Sequence, residues 1–366
     1  MKKIIKAVLF VAIFTSLLFL LFIFSAVLLE YRPQPSELAY VVCENSLNER
    51  LPASSITLLS YNIGYCGLGE DADFFMDGGT SARFSDIDTV KKNMYGIGDI
   101  LKKNMSDIIL LQEVDRHSRR SFYIDQAEYY SNLFSGYESQ FALNFKVFFV
   151  PIPIYDPIGK VESGVMTVSR FKTEGKGRRY QLPGSFSWPN RMFNLKRSVL
   201  VNRFIDESGN EWVLLNLHLS AYDDGNLREK ELEFIRNYIL EEYNSGRFVI
   251  AGGDWNHILP RISKDTFSPY TTKEKDLFWV KELPENWTPE GWTWAIDRSS
   301  PTVRSNESGY SPGQNFTTVI DGFLLSPNIE LIKVKTINTR FKYSDHEPVL
   351  IKVRAKEYPE TDDEQG

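Results

Sequence analysis

At 366 residues the chain has room for one large α/β domain or two smaller ones, and its 42% hydrophobic and 25% charged content excludes disorder outside short segments. A net charge of −6 weighs against a generic duplex-binding surface, which is usually basic. The two cysteines, Cys43 and Cys66, are too few for a disulfide scaffold or a thiolate zinc site, although a single bridge between them stays open.

Lys2, Lys3 and Lys6 precede residues 7–29, a stretch of 23 residues without a charge. As a helix it would reach ~35 Å against a hydrocarbon core of ~30 Å. A cleavable signal peptide is the competing reading, but its apolar region is usually only ~7–15 residues and ends at small residues. Phe24-Ser25-Ala26 matches that pattern poorly, so residues 1–30 read as an uncleaved membrane anchor. The lysines would then stay in the cytoplasm, making a single-pass cell-membrane protein with everything after Glu30 outside. Residues 31–54, with Pro33, Pro35 and Pro52, read as a tether, residues 55–356 as the main domain, and residues 357–366 as a disordered acidic tail.

Residues 55–61 (SITLLSY) form the first expected strand, with Asn62 at its end. A long glycine-rich, acidic loop follows over residues 64–87, and loops of this length are usually functional or mobile. Val90, Met94, Ile97 and Leu101 then recur at helical spacing. Residues 106–111 make a second strand ending at Gln112-Glu113, where Glu113 is either a metal ligand or a solvated edge residue. His117 falls in a polar loop, and a helix is expected over residues 125–134. Residues 139–168 read as two strands around an apolar, proline-rich connection, residues 148–157, which suits burial better than contact with lipid. Arg170, Lys172, Lys176, Arg178 and Arg179 form a basic loop between hairpin strands, either solvated or touching anionic headgroups.

Arg197 opens a β-branched strand over residues 198–204, paired through a turn with residues 211–217. Alternation puts Asn216 and His218 on one side of the second strand's end. A helix over residues 227–243 leads into residues 248–251, a short apolar run stopped by Gly252-Gly253 and followed by Asp254 and Asn256. A carboxylate beside an amide suits work on phosphate, while the plain alternative is an Asx turn after a core strand. His257 has no evident partner. Residues 260–318 carry Trp279, Trp287, Trp292 and Trp294, which either shape a substrate site or pack a local core. Asp321 is a charge inside an apolar run, residues 318–325, and so needs a cation or strong hydrogen bonds. Asp345 and His346 precede a last strand, residues 349–353, and point opposite ways if extended.

The series Asn62, Gln112-Glu113, Asn216-x-His218, Gly253-Asp254-x-Asn256, Asp321-Gly322 and Ser344-Asp345-His346 resembles the endonuclease/exonuclease/phosphatase superfamily of metal-dependent phosphoesterases. Each motif is weak alone, and their order along residues 55–354 makes the signal strong. Glu113-Val114-Asp115 with Arg120-Ser121 and Asp125-Gln126 is more similar to a bacterial metal-dependent hydrolase branch than to the DNA-repair enzymes. The resemblance implies an α/β four-layer sandwich of two face-to-face β-sheets flanked by helices. It also implies Mg2+ or Mn2+, with Glu113 as ligand supported by Asn62 and Asp345. Asp254 would handle the water or leaving group, Asn256 and His218 would hold the phosphate, and His346 paired with Asp321 would act as base or charged stabiliser. Hard oxygen ligands and an activated water fit that chemistry independently. Arg197 and Tyr222 are candidate phosphate contacts. The expected function is thus a membrane-anchored hydrolase of a phosphodiester or phosphomonoester. The alternatives are a secreted nuclease, which the acidic charge disfavours, and a binding domain on the same fold that does no chemistry.

Overall fold

Strands that are apolar on both faces, such as the core runs at residues 108–111 and 249–251, must be covered on both sides, and two stacked sheets with outer helices meet that demand. A computed structural model describes every residue except 45, 84–85, 185, 223–225, 268–276, 278 and 357–366. The acidic tail lies outside the described residues. The first sheet runs, edge to edge, β15 (Ile329–Thr336), β16 (Val349–Ala355), β3 (Ile56–Asn62), β4 (Ile108–Asp115), β6 (Gly159–Ser169), β5 (Glu138–Val150) and β2 (Tyr40–Cys43). The second runs β1 (Ser36–Leu38), β7 (Arg178–Gln181), β8 (Ser198–Ile205), β9 (Glu211–His218), β10 (Phe248–Asp254), β14 (Asp321–Leu325) and β11 (Thr293–Ala295). A small ribbon pairs β12 (Val303–Arg304) with β13 (Thr317–Thr318). In each large sheet one central pair is parallel, β3 with β4 and β9 with β10.

Neighbouring residues on these strands take opposite faces, and the layers follow from that alternation. Leu58, Ile108 and Leu110 meet Leu214, Ile250 and Phe323 between the sheets. Leu59 and Ile109 face outward onto α2 (Ile87–Lys103) and α3 (Gln126–Leu133), while Leu215 and Val249 face α4 (Leu227–Asn244). This is the four-layer sandwich expected. Asp86 caps α2 by accepting from Thr89 N, and Asp125 caps α3 by accepting from Glu128 N. The stretch read as a tether supplies an edge strand to each sheet, β1 against β7 and β2 against β5. Ahead of it, α1 (Lys2–Leu28) is 27 residues long and apolar enough to cross a membrane by length and composition.

Three readings change. The basic residues 170–179 are not a hairpin loop, because β6 belongs to the first sheet and β7 to the second; alternation identifies a strand but not its partner. Cys43 and Cys66 do not pair: Cys66 is buried with its Sγ 3.3 Å from Tyr130 Oη, and both are free thiols. Trp287, Trp292 and Trp294 pack with Trp255 on the outer face of the second sheet, and Trp279 alone among the four lines the cavity described below.

Gly253 shows how tightly the site strand is seated. Its φ is +140°, and a Cβ there would stand 2.0 Å from the Leu217 carbonyl oxygen on β9. Gly253→Ala is expected to cost roughly 3 kcal/mol or more, read as a lowered urea midpoint, because backbone in the middle of a sheet has nowhere to move.

Candidate active site

The strand registers bring the polar strand ends to one edge of the sandwich. Parallel pairing sets His218 beside Asp254 and Asn62 beside Gln112, and the antiparallel pair β10–β14 sets Asp254 beside Asp321. Glu113 sits where the β4–β6 register shifts, with φ +55°, so a bulge re-aims its carboxylate. The bulge is braced from behind. Arg120 makes two bonds to Asp115, at 3.0 and 2.9 Å, and lies 3.8 Å over the Tyr65 ring; Ser121 Oγ donates to Asp115 and Gln126 accepts from Asp115 N. The Asp115, Arg120-Ser121 and Gln126 motif is therefore a bracket for Glu113.

Asp254 is the hub. Its Oδ2 accepts from Asn62 Nδ2 at 3.0 Å and lies 3.3 Å from His218 Nε2 and 3.8 Å from His346 Nε2, while its Oδ1 accepts from Asn256 N at 2.9 Å. His346 Nδ1 is 2.8 Å from Asp321 Oδ2, and its Nε2 is 3.4 Å from Asn62 Nδ2. Asn256, at φ +48°, donates its Nδ2 to the Leu219 carbonyl, and Arg228 holds the Asn256 carbonyl oxygen. Asp345 faces away from His346, accepting from Asn306 Nδ2 at 2.7 Å. Tyr222 donates to Asp77 Oδ1 at 2.9 Å.

Burial separates the titrating groups. It pushes Asp254 up to about 7, with Asp321 adding and His346 opposing. Burial lowers His346, but the carboxylates of Asp321 and Asp254 outweigh it and hold the imidazole well above its ordinary range. His218 goes the other way, pushed well below by burial and then by Arg197 and His346. The environment thus drives the two imidazoles beside Asp254 in opposite directions, His346 toward its charged form and His218 toward its neutral form.

All ten residues singled out from sequence contribute here. Glu113, His218, Asp254, Asn256, His346, Asp345, Arg197 and Tyr222 line a cavity of about 390 Å³, with Asn62 and Asp321 bonded behind them. The Nε of Arg197 is buried with no hydrogen-bond partner among the described residues. Burial lowers its pKa against the pull of Glu231, Glu113 and Asp254. A guanidinium left this way beside a cavity is suited to an anionic oxygen.

A hard cation also fits. Burial raises the Glu113 pKa against the pull of Arg120, with Asp345 adding to it, and His218 Nε2 stands 3.9 Å from its carboxylate. A buried carboxyl raised by a second carboxylate is relieved by a divalent ion with oxygen preference. Asn62 Oδ1 accepts from Gly64 N at 3.0 Å and its Nδ2 turns toward Glu113 at 3.4 Å, so in this arrangement it orients the carboxylate. Asp254, Asp321 and His346 also gather ligand atoms within 4.8 Å of one another. The 2.8 Å His346–Asp321 contact makes that trio a hydrogen-bonded pair beside a carboxylate.

A profile of the Endonuclease/Exonuclease/phosphatase family matches residues 92–346. The chain belongs to this family. Among solved structures, the endonuclease/exonuclease/phosphatase from Beutenbergia cavernae DSM 12333 aligns with a TM-score of 0.56 at 17% identity, covering 86% of this chain and 74% of that one. An endonuclease/exonuclease/phosphatase family protein from Leptotrichia buccalis C-1013-b gives 0.53 at 14% identity, covering 82% and 99%. The human Nocturnin catalytic domain with bound sulfate anion gives 0.50 at 15% identity, covering 84% and 97%. These likenesses are of fold. No curated protein matches the chain.

Two residues that line the cavity, Asp77 and Asn306, escaped the sequence reading. Burial pushes Asp77 up to about 6 against hydrogen bonds from Tyr222 and Asn306, and Asn306 bridges Asp77 and Asp345. Asp77 carried one signal, its place in the long acidic loop; Asn306 carried none. His257 is buried with Nδ1 2.8 Å from the Trp255 carbonyl oxygen, and burial pushes its pKa from 6.5 to about 3. The unfolded chain binds that proton below about pH 6.5 and the folded chain does not, so this contribution to stability is lost as pH falls. His257→Gln is expected to flatten the acid loss by up to about 1.4 kcal/mol per pH unit between about pH 6 and 4, read by urea unfolding of both proteins.

Proposed function

We propose that the protein is a divalent-metal-dependent phosphoesterase, held at the membrane by α1 with its catalytic domain outside the cytoplasm. The observation that carries this reading is the constellation around Asp254: a neutral His218, the His346–Asp321 pair and Asn62 all meet it beside a cavity edged by the unpaired Arg197 Nε. Glu113, with Asp345 and the orienting Asn62, would hold Mg2+ or Mn2+. When bound, such an ion neutralises phosphate charge and lowers the pKa of water.

The chain's own groups account for the protons. Asp254 accepts one proton from the attacking water as its oxygen bonds to phosphorus. His346, carried as imidazolium by Asp321, donates a proton to the leaving oxygen as the phosphorus–oxygen bond breaks. The proton on Asp254 then returns to His346 across their 3.8 Å separation, directly or through water, and the pair is reset. Arg197, His218, Asn256 and Tyr222 position the non-bridging oxygens.

The test is a panel of lipid phosphodiesters, nucleotides, DNA and bis(p-nitrophenyl) phosphate with the purified full chain and Mg2+, Mn2+ or EDTA. Hydrolysis is expected with either ion, falling roughly 10³-fold in EDTA and returning on re-addition. If no phosphoester is split and no divalent ion binds, the reading fails.

A further inference from the structure

Beside the polar groups Glu113, Asp254 and His346 the cavity has an apolar stretch of wall, Phe145, Val150, Pro151, Ile152, Ile158 and Phe193, with Asn144, Asn190 and Asn194 as polar side chains of the same segments. A nucleotide or sugar placed along this wall would lose hydrogen bonds to water and find few replacements, whereas an alkyl chain would not.

The apolar wall is continuous with the end of α1. It is built from the end of β5, the connection between β5 and β6 and the turn Asn190–Phe193. The Phe22 ring of α1 stacks on Phe193 with centroids 5.7 Å apart and lies 5.9 Å from Phe148 and 6.3 Å from Phe149. Phe193 therefore touches both the cavity and the helix. Just past α1, Glu30 pairs with Arg191 at 3.4 Å and Lys196 at 3.6 Å, fastening the domain to the helix's end.

The same two segments also carry apolar side chains into solvent. Ile154 is 92% exposed, Tyr155 75%, Trp188 61% and Ile152 48%. Grouped exposure of this kind marks a contact surface, and Trp and Tyr favour the headgroup level of a bilayer. With α1 in the membrane, this rim and the mouth of the apolar wall stand at the bilayer surface.

We propose that the substrate is a membrane phospholipid, its acyl portion following the apolar wall from the bilayer while its phosphodiester reaches Asp254 and His346. This rests on the reading of the site as a phosphoesterase and of α1 as a membrane span. Hydrolysis consumes one water: its oxygen bonds to phosphorus, one phosphorus–oxygen ester bond breaks, and the leaving oxygen ends protonated as an alcohol. The bilayer already shelters the acyl chain, so the apolar wall accepts it without the cost a polar wall would impose, and the anchored site meets lipid at the high local concentration of the membrane surface.

The experiment places the full chain in phosphatidylcholine vesicles containing, in separate preparations, phosphatidylglycerol, phosphatidylethanolamine or sphingomyelin, with Mg2+. Each lipid is compared with its deacylated headgroup diester, with DNA and with bis(p-nitrophenyl) phosphate. Expected is cleavage of at least one lipid with kcat/KM roughly 100-fold above its headgroup diester. Ile152→Asp, at a half-exposed position that tolerates charge, is expected to lower the ratio of lipid to bis(p-nitrophenyl) phosphate turnover about tenfold or more. Equal turnover of lipid and headgroup diester, preference for DNA, or an unchanged ratio in the variant overturns the lipid assignment while the phosphoesterase reading stands. Failure to split even bis(p-nitrophenyl) phosphate or any other ester overturns both.

Discussion

Asp254→Asn is expected to lower kcat on any phosphoester the protein cleaves by roughly 10³-fold or more. The carboxylate oxygen that accepts from Asn62 Nδ2 and faces His218 Nε2 would become an amide nitrogen, setting donor against donor. The other oxygen can still accept from Asn256 N, so the turn at the end of β10 keeps its bond. Stability should change little, because a carboxyl pushed up to about 7 by burial gains from losing its charge what it loses in hydrogen bonds. The measurement is kcat alongside thermal melting. A variant within tenfold of the parent would show that Asp254 does not handle the proton.

The second large effect concerns His346 and Asp321 as a unit. His346→Ala and Asp321→Asn are each expected to reduce turnover by roughly 10²–10⁴, and the double variant by little more than the worse single one. Asp321 acts only through the ring: its Oδ2 meets His346 Nδ1, while its Oδ1 is buried without a hydrogen-bond partner among the described residues. Asparagine leaves a possible hydrogen bond but removes the charge that keeps the imidazole protonated despite burial. A double-mutant cycle decides the matter. Multiplying losses would mean that the two residues serve separate steps.

Much of this site was visible before any folding because its chemistry sits at strand ends. A short apolar run that stops at a carboxylate, an amide or a histidine marks the place where a buried strand reaches an edge, and Asn62, Glu113, His218 and Asp254 all follow that rule. Helices α2, α3 and α4 were visible for the complementary reason, since their apolar positions repeat at helical spacing and their ends carry residues suited to capping. Asp321 stood out as a charge in an apolar run and found the histidine such a charge requires. Asp77 and Asn306 did not stand out, because a loop side chain acquires its meaning only from what packs over it.

By itself, then, the sequence determined which segments are buried strands and helices, where an apolar span begins the chain, and which polar side chains lie at strand ends. These depend on local periodicity and composition. The tertiary structure alone decided that β6 and β7 belong to different sheets, that Cys43 and Cys66 stay apart, and that β1 and β2 close opposite sheet edges. It also decided that His218 is pushed toward its neutral form and His346 toward its charged form, although both are histidines beside the same aspartate. Strand partnership and burial arise between residues far apart in the chain, and pKa follows burial and neighbouring charge, so neither is written in any one stretch of it.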